Sequence, residues 1–213
     1  AASDLAVPMV AVGLFYATGY FRQALDEEGW QQEDYSAPGP EKLALERVTG
    51  DDGQPLHVRV RTRTTRLNVG AWTVNVGRCR LLLLDTNVKG NRDEDRALTA
   101  RLYGGDERTR IRQELVLGVG GMRVLEALGI YPSVVHLNEG HCAFAILELA
   151  RGIMEREGRS FEDVFEKAAA MTAFTTLTPV EAGHDRFTRS LTEETLGPLR
   201  EELGLSRREL LEL

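Results

Sequence analysis

Apolar and polar positions change period several times along the chain, and each change marks an element. Val7 to Tyr16 is a nearly continuous apolar run with Pro8 near its start. A strand covered on both faces need not alternate, so the run predicts a buried parallel strand. Tyr20 to Glu28 reads as a short helix ending at Gly29, and Ser36-Ala37-Pro38-Gly39-Pro40 as a loop. From about 42 to 86 the pattern is that of an antiparallel meander. Leu43 to Val48 is a short strand, Leu56 to Arg61 and Trp72 to Val76 alternate, and Leu81 to Leu84 is solidly apolar. Asp51-Asp52-Gly53 predicts a hairpin turn between the first two. The arginines between His57 and Arg66 fall on the wet face of this meander.

Helical periodicity takes over at Asn91. Asp93 to Tyr103 reads as one helix with acidic residues in its first turn, broken at Gly104-Gly105-Asp106. Thr109 to Leu128 reads as a second helix, apolar at 111, 115, 116, 119, 122, 124, 125 and 128. Gly118, Gly120 and Gly121 lie inside it, each costing about 1 kcal/mol against alanine, and point to close helix–strand packing. They make no dinucleotide fingerprint, since Arg123 stands where the third glycine belongs. Gly129 ends the helix. Val134 to Leu137 is a strand, and Gly140 to Glu157 a helix closed by Gly158. Ser160 with Asp163 caps a helix running through Ala170, and Thr172 to Thr176 is a strand. The tail, about 190–213, holds two short helices, the second capped by Ser206 with Glu209. This order predicts an α/β fold: a Rossmann-like doubly wound parallel sheet with an antiparallel β insertion.

Composition narrows the function. At 213 residues the chain can form one sizeable core. A net charge of −7 argues against nucleic acid or an anionic membrane surface as the main partner, and leaves a neutral ligand such as a sugar open. Two cysteines indicate no disulfide framework. Cys142 lies among apolar residues and reads as a buried thiol, and a reducing cytoplasm fits best. No apolar run approaches the roughly 20 residues of a membrane span. Ala1-Ala2-Ser3-Asp4 has no basic segment and leads at once into a strand, so it reads as a fragment boundary, with methionine removal as the alternative.

The candidate chemistry sits where two predicted strands end. One segment is His136-Leu137-Asn138-Glu139-Gly140-His141-Cys142-Ala143-Phe144. The other is Phe174-Thr175-Thr176-Leu177-Thr178-Pro179-Val180, running on to Ala182-Gly183-His184-Asp185. In a parallel α/β sheet, ligands bind beyond the carboxyl ends of the strands. The His136–His141 spacing fits neither zincin order, so no metal site is expected, and His136 reads as a core or supporting histidine. Asn138, Glu139 and His141 fall in the strand-to-helix turn. Either they face a cleft, or Asn138 caps the helix with Glu139 in its first turn. Pro179 keeps Thr178 extended, which offers carbonyls to a ligand, plain loop geometry being the alternative. There is no Gly-x-Ser-x-Gly elbow and no Walker A sequence. Lys42, Lys89 and Lys167 all lie in surface contexts unlike a Schiff-base site.

These two segments resemble the α-glucan (glycogen, starch and maltodextrin) phosphorylases, in particular their shorter bacterial and archaeal branch. Further matches in register are Ala2-Ser3-Asp4-Leu5, Gly19-Tyr20-Phe21-Arg22-Gln23, Gly29-Trp30-Gln31-Gln32-Glu33, Asp85-Thr86-Asn87, Leu102-Tyr103-Gly104-Gly105-Asp106 and Arg110-Ile111-x-Gln113-Glu114, together covering about 1–187. The resemblance implies a glycosyltransferase of two Rossmann-like lobes with the active site between them. Its cofactor would be pyridoxal phosphate on a lysine of the C-terminal lobe. Its substrates would be inorganic phosphate and an α-1,4-glucan, cleaved from the non-reducing end to glucose 1-phosphate.

On that resemblance the chain is a single incomplete N-terminal lobe, lacking its C-terminal partner lobe, and a homo-oligomer when complete. Asn138, Glu139, His141, Leu177 and Thr178 would bind the sugar, with no catalytic or cofactor-binding residue in the fragment. One departure stands out: the family has histidine where this chain has Leu177. A non-catalytic glucan-binding relative and a nucleotide-sugar-dependent two-lobed glycosyltransferase remain the alternatives.

Overall fold

A computed structural model describes residues 1–19, 22–34, 43–102, 105–180 and 185–213. The loop expected at 36–40, Lys42, Tyr103-Gly104 and Ala182-Gly183-His184 lie outside the described residues. The chain divides into two compact units: 1–56 with 70–104, and 57–69 with 105–213.

The first unit is built on β1 (Val10–Leu14) and β7 (Cys79–Asp85), which pair in parallel, Val12 opposite Leu82. β7 is antiparallel to β6 (Arg66–Val76), and β6 to the two-residue β4 (Glu46–Arg47). Leu82 and Leu84 are fully buried in this core. β1 is parallel as expected, but its residues are only half-buried and it pairs with β7 alone among the described strands.

Two expectations fail here. The helix expected from Tyr20 to Glu28 is a hairpin of β2 (Arg22–Leu25) and β3 (Gln31–Asp34), Leu25 opposite Gln31. The Asp26 carboxylate accepts the N–H groups of Glu28 and Trp30 at 3.2 and 2.8 Å, and Gly29 takes φ +84°. This side-chain-stapled turn overrides helix propensity. The helix expected over Asp93 to Tyr103 is α1 (Asp93–Arg96) followed by a 3₁₀ turn, Ala97–Thr99. It stops because the carbonyls of Thr99 and Ala100 accept the N–H groups of Ala17 and Thr18. The turn at 51–53 forms, closed by a Thr49–Pro55 bridge. The strand it leads from, however, pairs with β6.

The second unit carries the candidate site. β5 (His57–Arg61) pairs with β6 and alternates as expected, Val58 and Val60 buried, His57, Arg59 and Arg61 exposed. The long helix is α2 (Glu107–Leu115), a π-helical stretch Val116–Gly120, and α3 (Gly121–Ala127). Gly118 meets the start of α4 (Phe144–Glu157), where a Cβ would stand 2.7 Å from the Ala145 nitrogen. The tight packing is therefore helix on helix at Gly118, while Gly120 faces Val60 and Val69 at ordinary distance.

β8 (Val135–Asn138) and β9 (Thr172–Thr175) form a separate parallel pair, Leu137 opposite Phe174 and Asn138 opposite Thr175. Between them run α4, closed by Gly158 at φ +66°, and α5 (Phe161–Ala170), entered through the Ser160–Asp163 capping box. α6 (Arg189–Glu202) and α7 (Arg207–Glu212) form the tail, α7 with the Ser206–Glu209 capping box. Pro198 inside α6 leaves the Glu194 carbonyl without its helical donor, and the Arg63 N–H fills the place at 2.9 Å.

Candidate functional site

β8 and β9 end side by side, so the two polar segments leave the sheet together. The Glu139 N–H donates to the Thr175 carbonyl at 2.8 Å and extends the ladder by one rung. Glu139 then turns with φ +65°, a conformation a non-glycine residue holds only when its surroundings fix it. They do so through its carboxylate. Oε1 accepts the Leu177 N–H at 2.8 Å, the Thr178 N–H at 3.1 Å and the Thr178 hydroxyl at 3.0 Å. Oε2 accepts the Thr176 hydroxyl at 3.2 Å. These donors, led by the Leu177 N–H, hold the carboxyl below its usual range. The carboxylate is thus spent on ordering the neighbouring segment.

The other expected residues lie around this tie. The Asn138 side chain is exposed, and neither it nor Glu139 caps the helix that follows, which excludes the capping alternative. His141 sits in a 3₁₀ turn, Gly140–Cys142, half-buried. Burial and then Arg110 push its pKa down, against Glu139 and Asp185, so the ring is neutral near pH 7. A neutral imidazole both donates and accepts, as sugar hydroxyls require. Thr178 is half-buried, and Leu177 is 74% exposed.

Two side chains depart from expectation. His136 is exposed and bonds the Thr175 hydroxyl at 2.7 Å, because alternation in β8 buries Leu137 instead. Cys142 is half-buried, its thiol donating to the carbonyls of Asn138 and Glu139.

Three polar residues that belong to the matching segments, without a role assigned from sequence, join the site. Arg110 Nη2 on α2 binds Asp185 Oδ2 at 2.8 Å, and Glu114, one turn along, is buried against Asp185. Asp185 lies at the end of the second candidate segment, and Arg110 and Glu114 are charges four apart on α2.

The fold is of the Rossmann-like α/β class. The catalytic domain of starch synthase IV from Arabidopsis thaliana, solved with ADP and acarbose, shares this fold with a TM-score of 0.51, covering 95% of this chain and 38% of that one at 10% identity. No family model matches the chain. Maltodextrin phosphorylase of Thermococcus litoralis is 43% identical over 212 residues, covering 100% of this chain and 25% of the relative. Glycogen phosphorylase of Mycobacterium tuberculosis is 43% identical over 192 residues, covering 87% and 22%. That of Aquifex aeolicus is 32% identical over 211 residues, covering 99% and 30%. The chain belongs to the glycogen/maltodextrin phosphorylase family and spans about a quarter of the length of these relatives.

Proposed function

We propose that the chain supplies the sugar-facing wall of an α-glucan phosphorylase, which releases glucose 1-phosphate from glucan ends with inorganic phosphate. The observation that carries this is the tie made by Glu139, two residues before His141, which orders the Leu177–Thr178 backbone at the ends of two parallel strands. In this reading Asn138, the neutral His141 ring and the Leu177–Thr178 main chain receive the terminal glucosyl unit. Glu139 positions them and transfers no proton.

Pyridoxal phosphate, implied by the family, does not fit the described residues. Lys89 and Lys167 are exposed, and Lys167 pairs with Glu157. Bond cleavage needs groups aimed at the reacting centre from both sides. We therefore assign the cofactor and phosphate-binding groups to the rest of the protein, and expect the 213-residue chain alone to be inactive.

Leu177, exposed and apolar, favours a second reading as a non-catalytic glucan binder. One assay separates the two: glucose 1-phosphate release from maltodextrin and phosphate by the complete polypeptide. The phosphorylase reading predicts turnover that falls about 100-fold in His141→Ala, the loss of a buried sugar contact. Absence of turnover, with glucan binding retained, supports the binder. Turnover untouched by His141→Ala removes the proposed site.

A further inference from the structure

Glu114 differs from the other buried carboxylate of this unit. Glu148, equally buried, lies between Arg123 and Arg151 at 2.9 and 2.6 Å. Among the described residues no cation bonds Glu114, and Arg110 reaches it through its charge alone. The Glu114 Oε1 is buried without a hydrogen-bond partner, and the Glu114 carboxyl group is hydrogen-bonded to Asp185. Two touching carboxyls cannot both ionise cheaply inside a fold. Asp185 has Arg110 at 2.8 Å and keeps the charge, so the proton belongs to Glu114, whose O–H donates to Asp185. Arg110 and Glu114 thus grip Asp185 from one face of α2, and His141 lies close enough to feel both Arg110 and Asp185.

We propose that Glu114 is a protonated positioning residue: its O–H and the Arg110 guanidinium together hold Asp185, and loss of the proton frees Asp185 and with it the surroundings of His141. The inference stands on the buried Glu114, its unpartnered Oε1 and the Arg110–Asp185 pair, whichever reaction the site serves. Among the described residues, the titratable and charged groups around it are Arg110 on α2, His141 and Cys142 before α4, Asp185, and Glu139 beyond His141. Burial first, then Asp185, pushes Glu114 up to about 8. Burial lowers His141 and raises the Cys142 thiol. Asp185 and Glu139 both lie below their ordinary values. Of these groups, Glu114 is the one that changes charge between about pH 7 and 9.

The test follows glutamate carboxyl carbons and backbone amides of the chain by NMR from pH 5 to 10. One glutamate carboxyl should titrate with a midpoint above about 7, well beyond the ordinary value near 4.3. The amides of His141 and Asp185 should shift with the same midpoint. Glu114→Gln, which keeps a donor toward Asp185, should abolish that carboxyl titration and hold both amides at their low-pH positions throughout. All glutamates titrating below about 6 would overturn the inference on the unaltered chain, and so would an unchanged amide transition in Glu114→Gln.

Discussion

Two strand ends in this chain carry the same device and use it differently. At the end of β7, Asp85 is 4% exposed and takes three donors: Trp72 Nε1 at 3.0 Å, the Asn87 N–H at 2.7 Å and the Thr99 hydroxyl at 3.2 Å. At the end of β8, Glu139 takes four donors but stays half-open, and all four belong to the segment 37 to 39 residues further on. Asp85 locks a core, where an orphaned donor would be costly. Glu139 shapes a surface, where the ordered backbone and the neighbouring His141 stay available to a ligand. A strand-end carboxylate therefore orders an open surface only where its partners remain accessible.

Acidity should act most strongly at the β8 end, because the buried Glu114 on α2 holds a proton near neutral pH. The folded chain keeps a proton on Glu114 up to about pH 8, whereas the unfolded chain gives it up near the ordinary glutamate value. Its contribution is therefore fully present below that value and is lost as pH rises toward 8. The fall should be on the order of 4 kcal/mol across that window, read from urea unfolding at several pH values. Glu114→Gln should flatten it.

Asp85→Ala comes next. It strands the buried Trp72 indole donor and the Thr99 hydroxyl and should cost roughly 3 kcal/mol in the same unfolding experiment. A loss of a few tenths would erase the contrast between a sealed and an open end. Leu177→His acts on the open end alone. It restores a ring nitrogen for a sugar hydroxyl and should raise kcat/KM of the complete enzyme by one to two decades, with stability unchanged. Equal values in both proteins would mean that Leu177 is no handicap. His136→Ala should be smallest, within about 0.5 kcal/mol, since the ring is exposed and bonds only Thr175 among the described groups.

What was legible in the sequence followed local rules. The Ser160 and Ser206 capping boxes, the Gly129 and Gly158 helix stops and the alternation of β5 all appear where their residues predict them. The Rossmann-like class and the phosphorylase resemblance held as well. What escaped depended on which partner claims a backbone group. The 93–103 helix stops early because Ala17 and Thr18 claim its carbonyls. The hairpin around Asp26 forms where one carboxylate gathers the N–H groups of a turn. The candidate site shows the same division. Its segments could be read directly, but the positioning role of Glu139 and the Arg110–Glu114–Asp185 cluster arise from contacts between helix and loop that no local spacing encodes.

The central claim is that the Glu139 tie builds the sugar-facing surface, and Glu139→Ala in the complete enzyme tests it most directly. Initial rates of maltodextrin phosphorolysis and hydrogen exchange at the Leu177 and Thr178 amides would be measured on the same samples. If the tie builds that surface, kcat/KM falls by about 10- to 100-fold and both amides exchange faster, with the β8–β9 ladder still protected. Undiminished kcat/KM, with the two amides freed, would contradict it.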